Sequence, residues 1–358
     1  MNVRLSFPAG AICACLLLLA APASARTGSA PPSDNLLQNP DAEAGTTGHG
    51  NLVGVPGWSL TGSFTVDDYG DTDRLSKDVS VAYSGGNNYF FGGPGKPLST
   101  AMQTVDLTAY ADEIDKGSLD IVFGADVGGF ATQADKMDVQ ADILSATGGT
   151  LKTYTVAGVT KEQRHNTTTL RGAVYWAALP VGARSIRVTM TATRYDAFNN
   201  DGYADNLSLF LRARAPAPTG HILAALRGEL ASLFLSALPA SDAAAAVATL
   251  QPDVALHILS FSPIDGAKII AQLSPKVALH ILSFSPIDGA KIVAKLSPAG
   301  AAKILRLQPP DGAKILAALP FNVALKILQL QPPDALRAAL LKAMPAQLAG
   351  RFRARLGH

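Results

Sequence analysis

The sequence is nearly devoid of cysteine. Its two cysteines, Cys13 and Cys15, both fall within the first 25 residues, so the remaining chain has no disulfide and no thiolate metal site. Stability there must come from an apolar core, a bound cation or repetition. Aromatic residues make up only 6% of the chain. After residue 25 no stretch holds the roughly 18 unbroken apolar residues that a membrane-spanning helix needs. The patterns G-x-S-x-G, H-E-x-x-H and the P-loop are all absent, and residues 35–211 contain only two histidines, His49 and His165. No activated nucleophile or tuned base is evident, which points away from catalysis.

The chain begins MNVRLSFPAGAICACLLLLAAPASA. A basic residue (Arg4), an apolar run over 9–21 and the small-residue site Ala23-Ser24-Ala25 predict a secretory signal peptide over 1–25. The protein is therefore expected to be secreted, periplasmic or at the cell surface. A polar, Pro-rich leader, RTGSAPPSD, follows at 26–34.

The formal net charge of +2 conceals a division. Residues 35–211 carry 20 Asp+Glu against 12 Lys+Arg, a balance of −8. Residues 217–358 carry 7 against 14, a balance of +7. Such asymmetry suggests different partners for the two parts, or attraction between them.

From 35 to 211 short alternating runs such as GSFTVDD, SLDIVFGADVG and RSIRVTMTATR are separated by Gly, Asn and Asp turns. Eight to ten strands at this spacing predict an antiparallel β-sandwich. RARAPAPTG at 212–220 reads as a Pro-rich linker. Beyond it, over 221–358, the texture is helical.

That helical part copies itself. VALHILSFSPIDGAKI occurs at 254–269 and again at 277–292, 23 positions on. Prolines recur at 252, 263, 275, 286, 298, 309, 320 and 332, with gaps of 11 or 12. Each gap encloses one short helix with Pro at its first position, and Ser262, Ser274, Ser285 and Ser297 stand where N-caps belong. Ser262-x-x-Asp265 and Ser285-x-x-Asp288 look like capping boxes with Asp in place of Glu. Helices this short are not stable alone, so the 23-residue unit is expected to be a helix pair stacked into a solenoid. In that register His257, His280, Lys303 and Lys326 form one series; Lys268, Lys291, Lys314 and Arg337 form another. Both are expected to line basic ridges, suited to an anionic glycan, lipid or acidic partner or simply shielding the core.

NLLQNPDAEAG, VPGWSL and the closing NNDGYADNLSLFL resemble the galactose-binding-like jelly rolls, a group that includes many carbohydrate-binding modules. Asn35, Leu36, Leu37, Asn39, Glu43, Gly45, Trp58 and Asp205 carry the match. The resemblance implies a jelly-roll sandwich over 35–211 whose first and last strands converge. It implies a structural calcium held by Glu43 and Asp205, with Asp41 a weaker ligand. It also implies sugar binding at the loop rim or on the concave face, which needs an aromatic platform with amides and carboxylates beside it. Asn87, Asn88, Tyr89, Gln133, Asp135, Tyr195 and Tyr203 are the candidates, and the Gly-rich stretch 124–138 reads as a functional loop. Trp58, Phe90, Phe91 and Trp176 read as core. The P-x-x-A-x-x-I-L-x-x-L pattern of the repeats resembles the helical N-terminal domain of MgtE-type transporters and FliG-like flagellar-motor helices, as a packing pattern. The expectation is a non-catalytic, calcium-stabilised carbohydrate-binding module joined to a basic helical-repeat domain, with no nucleic-acid partner. The alternative is a cell-envelope scaffold whose repeats bind a protein while the sandwich is structural.

Overall fold

In a computed structural model the described residues are 34–70, 74–214, 223, 226, 228–330 and 334–357. The expected signal peptide, the leader up to residue 33, and residues 215–220 of the expected linker lie outside them, as do Asp71 and Asp73.

Among the described residues ten strands form two antiparallel sheets packed face to face, a jelly-roll β-sandwich followed by a helical part. In chain order they are β1 (Ser59–Thr61), β2 (Thr65–Asp68), β3 (Asn88–Phe91), β4 (Leu98–Asp106), β5 (Leu119–Gly129), β6 (Lys136–Ser145), β7 (Thr150–Val156), β8 (Thr169–Ala178), β9 (Ala183–Thr193) and β10 (Gly202–Ala213). One sheet runs β1-β4-β9-β6-β7 and the other β2-β3-β10-β5-β8. The stretch 124–129, expected as part of a loop, instead completes β5 and pairs with both β10 and β8. Its glycines serve close strand packing: a Cβ on Gly128 would lie 2.1 Å from the Thr169 carbonyl oxygen. The connecting loop shrinks to 130–135.

The opening segment runs beside the last strand, as the resemblance implied. Leu36 N–H donates to the Leu209 carbonyl (2.9 Å), and the Asn35 amide donates to the Leu207 carbonyl (2.8 Å). Inside, Trp58, Phe64, Phe90, Ile121, Phe123, Val188, Met190 and Leu209 belong to one buried cluster.

The two sheets differ on their outer faces. β4 alternates buried residues with exposed or half-buried ones and β9 alternates buried with half-buried ones, as strands with one solvated face do. β5 and β10 are buried along nearly their whole length, because the outer face of their sheet is covered too. At one end the cover is α1 (Lys77–Tyr83) and its flanks, over an aromatic cluster of Tyr69, Tyr89, Phe91 and Tyr203. At the other end it is the helical part: Val122 and Phe210 share one core cluster with its helices, joined by the half-buried Val174 and Trp176.

Among the described residues, after the short α2 (Ala111–Asp115), the helices are α3 (Gly228–Ala237), α4 (Ala240–Val247), α5 (Pro252–Phe261), α6 (Pro263–Ile270), α7 (Pro275–Leu282), α8 (Pro286–Val293), α9 (Pro298–Leu305), α10 (Pro309–Ala318), α11 (Phe321–Gln329), α12 (Asp334–Ala343) and α13 (Ala346–Leu356). Contacts run α3–α5–α7–α9–α11 along one row and α4–α6–α8–α10–α12 along another. One 23-residue unit is therefore one helix from each row, which is why the copied stretch has that length. Glycines at the same place in the second-row helices let the rows touch. A Cβ on Gly289 would lie 2.1 Å from the Leu282 carbonyl oxygen, and one on Gly312 would lie 2.2 Å from that of Leu305.

The expected capping boxes take another form. Ser274 and Ser297 cap their helices, accepting from Val277 N–H (3.4 Å) and Gly300 N–H (3.2 Å). The Ser262 and Ser285 hydroxyls instead donate to Asp265 (2.8 Å) and Asp288 (2.9 Å). The carboxylate is the stronger acceptor, and it draws the hydroxyl away from the backbone.

The helical part docks through α3. Trp176 packs on Phe234 at 5.9 Å between ring centroids, and the Arg212 guanidinium lies over the Trp176 ring, 4.5 Å from its centroid. Glu229 accepts the Gly172 N–H at 2.7 Å, and Ser84 meets His257 at 3.1 Å. Among the described residues no helix is long and apolar enough to cross a membrane.

Candidate functional site

The candidates separate into three places. Tyr89 and Tyr203 lie in the covered aromatic cluster, 5.2 Å apart by ring centroid and wholly buried, so neither ring reaches a rim. Burial and Asp201 push the Tyr203 hydroxyl well above its usual range, and it donates to Asp201 at 2.9 Å. Asn88 is buried as well and accepts from Thr47 at 2.7 Å. It precedes Tyr89 on β3, so it lies on the opposite, inner side of the sheet with Phe90.

The second place is the end where the chain's two termini of the sandwich meet. Glu43 accepts the N–H groups of Asn87 (2.7 Å) and Asn88 (2.8 Å) on one oxygen and the exposed Asn87 amide (3.3 Å) on the other. Asp205 is fully buried, accepting from the Tyr69 hydroxyl (2.6 Å) and its neighbour Asn206 N–H (2.7 Å). Gly85 and Gly86 lie between the two acids: a Cβ on Gly85 would be 2.6 Å from Asp205, and one on Gly86 would be 2.6 Å from Glu43. Burial holds the Asp205 carboxyl well above the ordinary range, with Asp126 and Asp41 adding repulsion. The donor chemistry suits a hard cation, since carboxylates gather here without a basic hydrogen-bond partner on Glu43 or Asp205 among the described residues. Among those residues no group of three or more His, Cys, Asp or Glu stands in a metal-holding array. A calcium ion here would thus rest on Glu43 and Asp205, and it would draw its other oxygens from backbone and water.

The third place is the rim where the 130–135 and 194–200 loops meet. Asp135 is buried and acts as an anchor rather than a contact. Its carboxylate accepts the N–H groups of Tyr195 (2.5 Å), Asp196 (2.9 Å) and Asp201 (3.0 Å). Arg164, fully buried, donates to the carbonyls of Gly129 (2.8 Å), Ala131 (3.1 Å) and Thr167 (2.7 Å), and to that of Gln133 (2.9 Å). Asp196 accepts the Ala134 N–H at 2.6 Å, tying the two loops together. On this fixed backbone two aromatic side chains face solvent: Tyr195 is 61% exposed and Phe198 is 69% exposed. The Phe198 carbonyl is itself held by Gly95 N–H (3.0 Å) and Arg194 (2.8 Å). Phe198 escapes a reading that looks for an aromatic with a polar tip. The available signal was its position in a polar loop, YDAFNN, with no apolar neighbour pattern to bury it.

In the helical part the two cation series part company. Lys268, Lys291 and Lys314 each pair with the Asp three residues before, at 2.8, 2.8 and 3.3 Å. His280, Lys303 and Lys326 are exposed along the first row, while the exposed His257 at its head is engaged by Ser84. Arg337 lies on α12.

No protein-family model and no curated protein match the chain. Among solved structures, "Family 16 Carbohydrate Binding Module-2" is 20% identical over 49% of this chain and 99% of its own, with a TM-score of 0.31. The CBM22-1 xylan-binding domain of Paenibacillus barcinonensis Xyn10C is 14% identical over 52% of this chain and 97% of its own, with a TM-score of 0.29. A cyclase from Fischerella sp. is 11% identical over 52% of this chain and 97% of its own, with a TM-score of 0.33. The chain spans 21% of the length of the Bacteriophage CBA120 tailspike protein 4 domain, to which it is 14% identical over 50% of itself, with a TM-score of 0.29. Likeness at these scores is loose and is shared by binding modules and enzymes alike.

Proposed function

We propose that the chain is an exported, non-catalytic binding protein whose sandwich takes a carbohydrate at the loop rim around Tyr195 and Phe198. The observation that carries this reading is the pair of exposed aromatic side chains on loops pinned from beneath by the buried Asp135 and Arg164. Rings exposed to water offer the flat surface on which the C–H face of a sugar stacks, and fixing them in advance spares the entropy cost of ordering the loop. Backbone groups and Asp196 stand beside them for hydroxyl contacts. Asn87, the one exposed amide of the earlier candidates on the Glu43 side, lies with the acidic cluster instead.

Glycan-array binding of the full chain tests this. Tyr195→Ala and Phe198→Ala should each weaken binding about tenfold or more, judged by what a stacked aromatic contributes, without lowering the melting temperature. Unchanged binding in both variants would remove the rim from consideration. The same proposal includes a structural calcium at Glu43 and Asp205. Excess chelator should lower the melting temperature, and Glu43→Ala should abolish that response. A melting curve indifferent to chelator would remove the metal.

A further inference from the structure

Each unit of the helical part turns from its first-row helix to its second-row helix at the same place, and there the chain leaves apolar side chains in water. At period 23 the last positions of these turns are Phe261, Phe284, Leu307 and Leu330. Phe261 is half-buried against His257, 5.2 Å from its ring. The other three, with Ile264 and Ile287 just inside the following helices, are 46–69% exposed. Scattered exposed apolar residues need no explanation, but these recur on one edge in step with the repeat.

Cations recur on the same edge. His280, Lys303 and Lys326 lie in the last turns of α7, α9 and α11, and Phe284, Leu307 and Leu330 follow one or two residues past those helix ends, where their N–H groups donate to the carbonyls of Ile281 (3.3 Å), Ile304 (3.3 Å) and Ile327 (3.2 Å); Arg306 adds a further exposed charge beside Leu307. The acids nearest this edge, Asp265, Asp288 and Asp311, are already paired with Lys268, Lys291 and Lys314. What the edge offers a partner is therefore an alternation of positive charge, with no ion pair to Lys303, Arg306 or Lys326 among the described residues, and protruding apolar side chains.

We propose that this turn edge docks on an anionic lipid surface, with Phe284, Ile287, Leu307 and Leu330 entering the headgroup boundary and Lys303, Arg306 and Lys326 meeting lipid phosphates. Charge decides the occupant. A second copy would bring the same cations face to face, which opposes self-association. An anionic polysaccharide satisfies the cations and leaves the apolar side chains in water. A bilayer surface supplies both anionic headgroups and an apolar layer just beneath. It is also planar and fluid, so it accepts equally spaced protrusions without a matching pocket. The +7 balance of residues 217–358 adds long-range attraction of the same sign.

The test is sedimentation of the full chain with vesicles of phosphatidylcholine alone and with roughly one part phosphatidylglycerol to three of phosphatidylcholine. Comparisons are made within the same chain length, so the apolar N-terminal stretch contributes equally throughout. Binding should be stronger with the anionic lipid than with phosphatidylcholine alone, and that difference should shrink as salt rises. A variant carrying Phe284→Ser, Ile287→Ser, Leu307→Ser and Leu330→Ser, and a second carrying Lys303→Glu, Arg306→Glu and Lys326→Glu, should each lose about tenfold or more of the partition coefficient. Circular dichroism should show parental helicity in the charge variant, which keeps the claim testable if the apolar variant misfolds. Parental binding by both variants would overturn the proposal. So would concentration-dependent self-association that the serine changes abolish, since the edge would then join copies of this chain. Binding to alginate with none to either vesicle would overturn it as well.

Discussion

The sandwich and the helical part both lack disulfides, and they reach a stable core by opposite routes. The sandwich joins residues far apart in sequence: Asn35 meets Leu207 and Glu43 meets Asn87. Each such contact occurs once, so each must be correct. The helical part joins neighbours. α5 packs on α7 and α6 on α8, and the same contacts recur one unit later. The difference teaches where specificity resides. In the sandwich it lies in individual buried polar groups such as Arg164 and Asp135, whereas in the repeat it lies in a register, and a position can be compared with its own copies.

The repeat gives the largest expected effect. Gly289→Ala would place a Cβ 2.1 Å from the Leu282 carbonyl oxygen, a backbone atom that cannot swing aside. The rows must then separate, and the cost should be about 2–3 kcal/mol in urea denaturation. Gly350→Ala offers the control, because nothing lies within 4 Å of a Cβ there. On an exposed turn of α13 it should stabilise by about 0.5–1 kcal/mol. Equal effects at the two glycines would mean that the rows do not touch at Leu282, and the account of the 23-residue unit would fail with them.

The unlike routes also explain what could be read in advance. Proline rhythm and apolar spacing are local signals, so the helix pair, its length and the stacking are legible from Pro252 to Pro320 in the sequence alone. The strands are legible for the same reason, since alternation is local. Burial of an outer sheet face is not local. Nothing in SLDIVFGADVG announces that Val122 packs under α3, so β5 reads as half-solvated and its glycines as a loop. The candidate site suffered likewise. Tyr89 and Tyr195 are the same residue type with the same polar tip, yet the cover by α1 and its flanks buries one and leaves the other in water. Glu43 and Asp205 flank Gly86 and Gly85 because the opening and closing segments run side by side, but among the described residues they form no metal-holding group of three with Asp41.

The seam between the two parts supplies a pH-dependent comparison of intermediate size. Asp126 is fully buried on β5; a Cβ on Gly172 would sit 2.8 Å from it and 3.2 Å from Glu229 of α3. Burial raises its carboxyl well above the ordinary value of 3.8, and Glu229 adds to the shift. The native state therefore keeps a proton that the unfolded chain has released, so stability should fall as pH rises from the ordinary carboxylate range toward the raised one. Asp126→Asn should flatten the fall in stability across that range. Urea denaturation at both ends of that range measures it. A variant with the parental slope would place the pH dependence elsewhere than at the docking seam.

The smallest effect lies two residues from the glycines that give the largest. Lys291 pairs with Asp288 at 2.8 Å on the surface of α8, as Lys268 and Lys314 pair with their own acids. Its side chain is 57% exposed and that of Asp288 is 39% exposed, so water and salt screen the attraction, and holding a long side chain in one place opposes it. Asp288 keeps a second hydrogen bond from Ser285 when the lysine is gone, and its carboxyl is held below the ordinary range by that bond as well as by Lys291. Lys291→Ala should consequently cost no more than about 0.5 kcal/mol, and high salt should erase most of that. The same change at Lys268 should match it, because the two stand in one register. A loss near that of Gly289→Ala would show that the lysine stem, packed along the helix, contributes what its charge does not. In that event Lys291→Met would restore stability where Lys291→Ala does not, and the second cation series would be part of the core that the repeat builds.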